Sequence, residues 1–173
     1  MNTAIIDFSA IYWRCWHATA NEEMSAAKNN AVGMVERIAS KHDECIVAID
    51  SPPYKRSEMY PDYKGNRPEK DLAAVEELKQ GIDELKRLGL KVAHSAQWEA
   101  DDVIATLIKG GGDFTVYGSD KDLLQCCEIV DPFTGKLKTA EDTLGVEPKD
   151  VIRFLALVGD KSDNIPGVKG IGS

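Results

Sequence analysis

A chain of 173 residues with 43% hydrophobic and 29% charged residues has the balance of one ordinary globular domain, which excludes a disordered or fibrous protein. The four cysteines show neither CxxC spacing nor zinc-type pairing with the histidines, and no segment reaches the ~20 apolar residues of a membrane span, so we expect a soluble, intracellular protein without a membrane partner. The net charge of −8 argues against a polyanionic partner unless divalent cations neutralise part of the acids; two such ions would halve it.

Short β-like runs alternate with helical patterns along the chain. Strands are predicted at residues 3–7, 44–50, 91–94, 113–120 and, more weakly, 128–131. Helices are predicted around residues 9–20, 28–41, 69–89, 99–109 and 148–158. The clearest helix carries one apolar stripe and stops at Gly89, the stripe being Leu72, Val75, Leu78, Ile82, Leu85 and Leu88. This alternation predicts an α/β fold with a mostly parallel central sheet flanked by helices, and ligands of such sheets gather beyond the carboxyl ends of the strands.

Acidic residues follow three of the predicted strands. Asp7 and Asp50 end buried runs, and Asp120 and Asp122 come directly after the strand that contains Val116. A single aspartate in this position is usually a helix cap. Four carboxylates at one edge of a sheet repel each other, however, and need a counter-ion.

The stretch QWEADDVIATL adds three more acids at the start of a helix. At about 100° per residue, Glu99 and Asp101 flank the apolar face while Asp102 points away from it. No lysine or arginine is close in sequence to pair with them, although a distant one could be. We therefore expect Glu99 and Asp101 to bind a cation and Asp102 to cap the helix or act through a neighbouring ligand.

Two further aspartates lie in the loop LVGDKSDNIPG near the end of the chain, and the candidate metal ligands are Asp7, Asp50, Glu99, Asp101, Asp102, Asp120, Asp122, Asp160 and Asp163. A set of oxygen ligands without histidine or cysteine favours Mg²⁺ or Mn²⁺ over zinc. We expect two or more ions. Mg²⁺ binds only one or two carboxylates directly, so nine acids exceed what two ions need, and some must act through water. Two such ions suit phosphodiester hydrolysis, and Asp7 and Asp122 are the acids taken as catalytic.

Several motifs together resemble one known family. IIDFSAIYWRCWHA, VAID, YPDYKGNR, WEADDV, SDKDLLQ and GDKSDNIPGVKGIG occur in the order and spacing of the bacterial and phage 5′-nucleases, or flap endonucleases, which include the 5′-to-3′ exonuclease domain of DNA polymerase I. The resemblance covers essentially the whole chain. It implies a PIN-like (resolvase-like) fold and metal-dependent cleavage of DNA near 5′ ends, flaps or single-strand/double-strand junctions, in replication and repair in the cytoplasm of a bacterial or phage-infected cell. It also implies that the nine acids are the metal site.

The segment of residues 51–70 is basic within an acidic chain. Alone it would be interpreted as a solvated loop, but the resemblance implies the base of an arch through which a single-stranded 5′ end passes. On that basis Lys64 is a catalytic residue that approaches the scissile phosphate, and Arg67 and Arg56 contact DNA. Trp13 is expected to stack on a base, and the interleaved tyrosines, Tyr54, Tyr60 and Tyr63, are candidates for the same role.

Residues 159–173 form a glycine-rich end that lacks the order of a nucleotide P-loop. The resemblance implies the start of a helix–hairpin–helix element that grips duplex phosphates through Gly167, Lys169, Gly170 and Gly172, after a catalytic domain of residues 1–158. Because the chain stops at Ser173, where the second helix should begin, we expect a truncated form, the product of a split gene, or a minimal protein whose duplex grip is either weakened or supplied by a partner chain. A K⁺ ion is expected at this hairpin if that element is supplied.

Two other functions remain open at this point. A PIN-type ribonuclease would share the sheet and the acids, although a compact one lacks the arch and the glycine-rich end. A non-catalytic, metal-stabilised DNA-junction binder is the other alternative. An aspartyl-phosphate phosphotransferase is disfavoured because Ser9, and not a second aspartate, stands two residues after Asp7.

Overall fold

A computed structural model describes residues 2–19 and 25–171 and contains a central six-stranded sheet in the order β3-β2-β1-β4-β5-β6. The strands are β1 (Asn2–Asp7), β2 (Glu44–Ala48), β3 (Lys91–Ala93), β4 (Asp113–Tyr117), β5 (Ile129–Val130) and β6 (Leu137–Lys138). β1 to β5 pair in parallel and β6 is antiparallel to β5, which confirms the predicted mostly parallel sheet. Sequence periodicity missed β6, because two residues are too few to show alternation.

Seven helices are present in the described part of the chain: α1 (Phe8–Ala18), α2 (Ala26–Ala39), α3 (Lys55–Met59), α4 (Leu72–Arg87), α5 (Ala100–Lys109), α6 (Ala140–Leu144) and α7 (Val151–Val158). Each of the five predicted helices has a counterpart, and the predicted end of the first, at residue 20, lies outside the described residues. The five-residue helices α3 and α6 were missed because one turn carries no apolar stripe. Two 3₁₀ turns (Lys121–Gln125 and Pro148–Asp150) and a hairpin of β7 (Gly159–Asp160) with β8 (Ile165–Pro166) complete the fold.

Helices cover both faces of the sheet, and each face has its own core. Adjacent residues of β1 serve opposite cores, since successive strand side chains point to opposite faces. Ile6 packs with side chains of α1, α2 and α4, whereas Ile5 packs with side chains of α5, of the 3₁₀ turn at Lys121–Gln125 and of α7. The sheet is therefore buried on both sides, as the apolar runs of its strands indicated.

The apolar stripe predicted for α4 is only partly correct. Leu85 is fully buried, but Leu72 is 85% exposed and Leu88 is 50% exposed, because both lie at the ends of the helix. Gly81 lies close to α1, because an added Cβ there would lie 3.1 Å from the Phe8 ring. A small residue thus lets α4 pack tightly on α1.

The topology brings the carboxyl ends of β1, β2 and β4 to one edge of the sheet, because these three neighbouring strands are parallel. Asp7 pairs in register with Ala48, so the residues after β2 emerge beside it. No helix in the described ranges is both long enough and apolar enough to cross a membrane.

Candidate metal centre

Three aspartates stand at this carboxyl edge, and each also accepts a backbone N–H of a neighbouring element. One Asp7 oxygen accepts the Ala10 N–H of α1 at 3.0 Å, and one Asp120 oxygen accepts the Asp122 N–H at 2.9 Å. Asp50 reaches across to accept the Ala100 N–H of α5 at 2.9 Å. Capping and cation binding are therefore compatible, since a carboxylate has a second oxygen to offer.

The acids at this edge raise each other's pKa values. Burial, followed by the charges of Asp7, Asp120, Asp50 and Glu99, raises the pKa of Asp101 to about 9. Burial is also the main reason that the pKa of Asp7 rises to about 7, against the opposing Ala10 hydrogen bond and Lys64 charge. The structure thus assembles negative charge from β1, β2, β4 and α5 in a poorly solvated space.

A second group of acids adjoins the first through the 3₁₀ turn that follows Asp120. Carboxylate oxygens of Asp122, Asp160 and Asp163 lie within 4.8 Å of one another. Burial, followed by the charges of Asp120, Asp160 and Asp163, raises the pKa of Asp122 to about 6. The final two aspartates reach this position because the β7–β8 hairpin folds back after α7.

Two carboxylate oxygens in these groups are buried without a donor. Asp101 Oδ1 and Asp122 Oδ1 receive no hydrogen bond from any residue that the structure describes. A buried, unpaired carboxylate oxygen is costly unless a cation or a donor compensates it. The all-oxygen chemistry of the cluster fits a hard divalent cation, which would compensate these two oxygens.

Basic side chains from the segment of residues 51–70 supply the partners that the local sequence around Glu99 lacks. Arg56 donates through Nη1 to Glu99 at 2.7 Å and through Nη1 and Nη2 to Asp102 at 2.5 and 2.7 Å. Lys64 pairs with the other Glu99 oxygen and lies 3.8 Å from Asp163. Asp102 does point away from the core, as predicted, but it points towards Arg56.

The same segment carries a tyrosine whose role the sequence did not reveal. Tyr63 donates its hydroxyl to Glu99 at 2.6 Å and lies 3.0 Å from Asp163, so it bridges the two acid groups. It is only 9% exposed, which makes the expectation that it stacks on a base wrong. In the sequence, this role was indicated only by the position of Tyr63 next to Lys64 in the motif YPDYKGNR.

The remaining predicted DNA contacts are dispersed around this centre. Arg67 binds Asp163 at 2.8 Å from the exposed side of the segment. Trp13 is half-buried on α1, and the Lys70 ammonium lies 4.9 Å from the centre of its ring. Lys169 and Gly170 are exposed after β8, and Gly172 lies outside the described residues. Gly167 is exposed as well, and its backbone passes close to the end of α7, where an added Cβ would overlap Val158 O.

A cleft of about 660 Å³ opens onto the acids. Its polar wall includes Arg56, Glu99, Asp101, Asp122 and Asp163, and its apolar wall includes Met59, Leu123 and Ile165. The two acid groups can therefore be reached from the same side of the molecule.

A family-wide sequence profile described as the 5′-3′ exonuclease, N-terminal resolvase-like domain, matches residues 2–154. The chain belongs to this family. It is 37% identical over 143 residues to a 5′-3′ exonuclease of Aquifex aeolicus. This alignment covers 73% of this chain and 48% of that protein. It is 36% identical over 158 residues to DNA polymerase I of Streptococcus pneumoniae. This alignment covers 80% of this chain and 17% of that protein. The chain thus spans about half the length of the first relative and about a sixth of the second.

Solved structures share the fold of this resolvase-like domain. The D15 protein of T5, co-crystallised with metal ions, superposes with a TM-score of 0.81 at 23% identity, covering 99% of this chain and 71% of the other. Human GEN1 in complex with Holliday junction DNA gives a TM-score of 0.69 at 16% identity, covering 99% of this chain and 47% of the other. At these identities the likeness establishes the architecture, and it confirms the predicted resolvase-like fold.

Proposed function

We propose that the chain is a structure-specific 5′ nuclease domain that hydrolyses DNA phosphodiester bonds near 5′ ends, flaps or junctions. The observation that carries this proposal is the pair of buried oxygens without donors, on Asp101 and Asp122, within two adjoining groups of acids in a member of the 5′-3′ exonuclease family. The relatives named DNA polymerase I support a role in replication and repair.

Mg²⁺ or Mn²⁺ is the proposed cofactor, in two or more copies. Asp122, Asp160 and Asp163 are proposed to hold one ion, and Asp7, Asp50, Glu99, Asp101 and Asp120 the adjoining one, some of them directly and the others through bound water. Bound divalent ions would supply Lewis-acid polarisation and would neutralise charge on the reacting phosphate. That T5 5′-exonuclease has been crystallised with zinc supports divalent-metal binding at such a fold.

Lys64 is the proposed catalytic cation of the chain itself. Its ammonium pairs with Glu99 and is near Asp163, so it lies where the two acid groups meet. A phosphodiester entering the cleft between these groups would meet this fixed positive charge, which stabilises charge developing on a phosphate oxygen. Arg67, 2.8 Å from Asp163, is the proposed second phosphate contact.

DNA is the proposed substrate, with contacts outside the acid centre. A T5 flap endonuclease variant was crystallised with DNA and metal ions, and GEN1 with Holliday junction DNA, which supports a junction-binding surface on this fold. Trp13 and the exposed Lys169 and Gly170 are the proposed further DNA contacts of this chain.

A helix–hairpin–helix element, on this or a partner chain, is proposed to complete the duplex grip, with K⁺ at the glycine-rich turn. Large apolar side chains are exposed near this end, namely Ile152, Leu157, Ile165, Val168 and Ile171. Such side chains suit a surface that another element covers. Thermal stabilisation by KCl over NaCl, seen only after the element is added, would support this part of the proposal.

One assay tests the main proposal. The protein is incubated with a 5′-flap DNA and with an RNA hairpin, each with Mg²⁺, Mn²⁺ or EDTA. Metal-dependent cleavage of the flap DNA alone is the expected result. Cleavage of the RNA hairpin would instead support a ribonuclease, and metal-dependent binding without cleavage would indicate a junction-binding protein.

A further inference from the structure

Asp102 differs from its neighbour Asp101 in how its oxygens are occupied. Both Asp102 oxygens accept the Arg56 guanidinium, at 2.5 and 2.7 Å, and one of them also accepts the Glu99 N–H at 3.2 Å. By contrast, Asp101 Oδ1 receives no donor from the described residues. A two-point contact between guanidinium and carboxylate is the strongest geometry of such a pair and leaves little room for a metal ion.

Arg56 connects two elements that otherwise belong to different parts of the chain. It lies on the one-turn helix α3, within the segment that carries Lys64, and its partners lie in the first turn of α5. The backbone of the same region is tied to the stretch before α5, since the Lys55 N–H donates to Gln97 O at 2.9 Å. The pair is thus placed to hold the start of the basic segment on the acid centre.

We propose that Asp102 is the anchor of Arg56 and not a metal ligand, and that the Arg56–Asp102 pair is a positioning device that holds Lys64 at the acid centre. This inference rests on the proposed function, because positioning matters only if Lys64 acts on the phosphate. It reassigns Arg56, which was expected to contact DNA, and removes Asp102 from the expected set of metal ligands.

The test compares the same substitution at two adjacent residues. Asp102→Asn and Asp101→Asn are measured by titration with Mn²⁺ alone and by trypsin cleavage at Lys55 and Lys64 in the metal-free protein. Asp101→Asn is expected to lose about tenfold or more in Mn²⁺ affinity with no faster cleavage. Asp102→Asn is expected to keep its Mn²⁺ affinity within about threefold and to be cleaved about tenfold faster in this segment.

Arg56→Gln provides a second variant if Asp102→Asn does not fold. It is expected to show the same fast cleavage. The double variant should be no worse than Arg56→Gln alone, because that substitution already removes the pair with Asp102 together with the Glu99 contact. On flap DNA, kcat should fall about tenfold while KM changes less than about twofold, which a merely structural contact would not produce. Arg56→Lys should not restore kcat, since an ammonium cannot make the two-point contact.

Loss of Mn²⁺ affinity in Asp102→Asn equal to that in Asp101→Asn would overturn the proposal. Unchanged trypsin cleavage in both Asp102→Asn and Arg56→Gln would overturn it as well. The proposed function fails on a different result, namely normal Mn²⁺ binding in Asp101→Asn or no flap cleavage by the unaltered chain. The two failures can therefore be told apart.

Discussion

Single side chains in this centre have two tasks at once. Asp7 caps α1 through one oxygen. Burial, followed by the charges of Asp50 and Asp120, raises the pKa of its carboxyl group to about 7. Asp120 caps the following 3₁₀ turn through one oxygen, and its charge contributes to the raised pKa of Asp101. A cap and a ligand are therefore not competing interpretations of a strand-ending aspartate. Whether such an aspartate also binds a cation depends on how many other acids lie beside it.

Replacing Asp122 by asparagine tests the proposed role of one acid. We expect Asp122→Asn to lower kcat on flap DNA by about a thousandfold or more, the scale of several kcal/mol of lost charge stabilisation. The metal-free variant should be at least as stable as the parent, because a buried charge repelled by Asp120, Asp160 and Asp163 is removed. Comparing kcat and the thermal midpoint for both proteins checks this.

Asp83→Asn is the matched control for that substitution. Asp83 lies on α4 with a side chain 68% exposed, and it pairs with Lys86 of the same helix. Its kcat and thermal midpoint should stay close to those of the parent. Normal turnover in Asp122→Asn would refute the assignment of Asp122.

At the scale of elements, the β7–β8 hairpin depends on a close backbone crossing. Gly159 has φ 78° and ψ −179°, a region that is essentially reserved for glycine. An added Cβ there would lie 2.6 Å from Ile165 O and 2.8 Å from the Pro166 carbonyl carbon. This crossing places Asp160 and Asp163 beside Asp122, so a feature of the backbone governs the geometry of the acids.

Alanine at Gly159 should therefore damage both stability and the acid centre. We expect Gly159→Ala to cost about 3 kcal/mol of unfolding free energy, from backbone strain and overlap together, and to weaken Mn²⁺ binding. Gly145→Ala is the control, because Gly145 has φ 72° with nothing near the added Cβ, and it should cost only about 1 kcal/mol. Denaturant unfolding of both variants measures the difference; equal costs would contradict the crossing argument.

Asp131 fastens α1 to the turn between β5 and β6. It accepts the N–H groups of Phe133 and Thr134, both at 3.0 Å, and binds Lys138 at 3.0 Å and Arg14 at 3.3 Å. Burial alone would raise the pKa of Asp131, but the hydrogen bonds from Lys138, Thr134 and Phe133 outweigh burial and lower it. The folded state therefore favours the charged carboxylate.

This lowered pKa gives a pH dependence of stability with a definite sign. The stabilisation by Asp131 is fully present above its unfolded-state pKa of about 4 and is lost as the pH falls further, since the unfolded chain takes up the proton first. We expect Asp131→Asn to cost about 2 kcal/mol at neutral pH and progressively less below about pH 4. Urea unfolding across pH, with the exposed Asp83→Asn as control, checks this; a constant difference would contradict it.

At the scale of the whole molecule, a chain with a net charge of −8 also buries several of its acids side by side, and this burial raises the pKa values of Asp7, Asp101 and Asp122. In the metal-free protein Arg56, Lys64 and Arg67 offset part of that charge through ion pairs with Glu99, Asp102 and Asp163. Divalent cations would offset the remainder. The free energy of unfolding should therefore depend on the concentration of divalent cations.

Mg²⁺ or Mn²⁺ at about a hundredfold excess over its Kd should stabilise the folded chain by about 2–3 kcal/mol, or raise the thermal midpoint by roughly 5–10 °C. The rise should be larger near pH 8 than near pH 6, because the pKa values of Asp7 and Asp101, raised to about 7 and about 9, mean that protons compete with the metal at the lower pH. Differential scanning fluorimetry with EDTA reversal measures it. An Asp101→Asn/Asp122→Asn variant should show little rise, and a full rise there would contradict the assignment.

The sequence by itself determined the fold class and the chemistry of the centre. Strand-ending acids such as Asp7 and Asp50 are local signals, because parallel strands must present their carboxyl ends at one edge. The absence of histidine and cysteine from the acid motifs likewise determined the preference for a hard cation. Very short elements such as β6 and α3 were not predicted from the sequence, because a hydrophobic periodicity can be recognised only over more than one turn or pleat.

Only the tertiary structure decided how the acids are paired. Arg56 meets Asp102 across 46 residues of sequence, and Tyr63 meets Asp163 across 100. No periodicity encodes such contacts, because they depend on the path by which the basic segment crosses the edge of the sheet. That path decides that Arg56 binds a carboxylate of its own chain, because it brings the guanidinium into a two-point contact with both oxygens of Asp102.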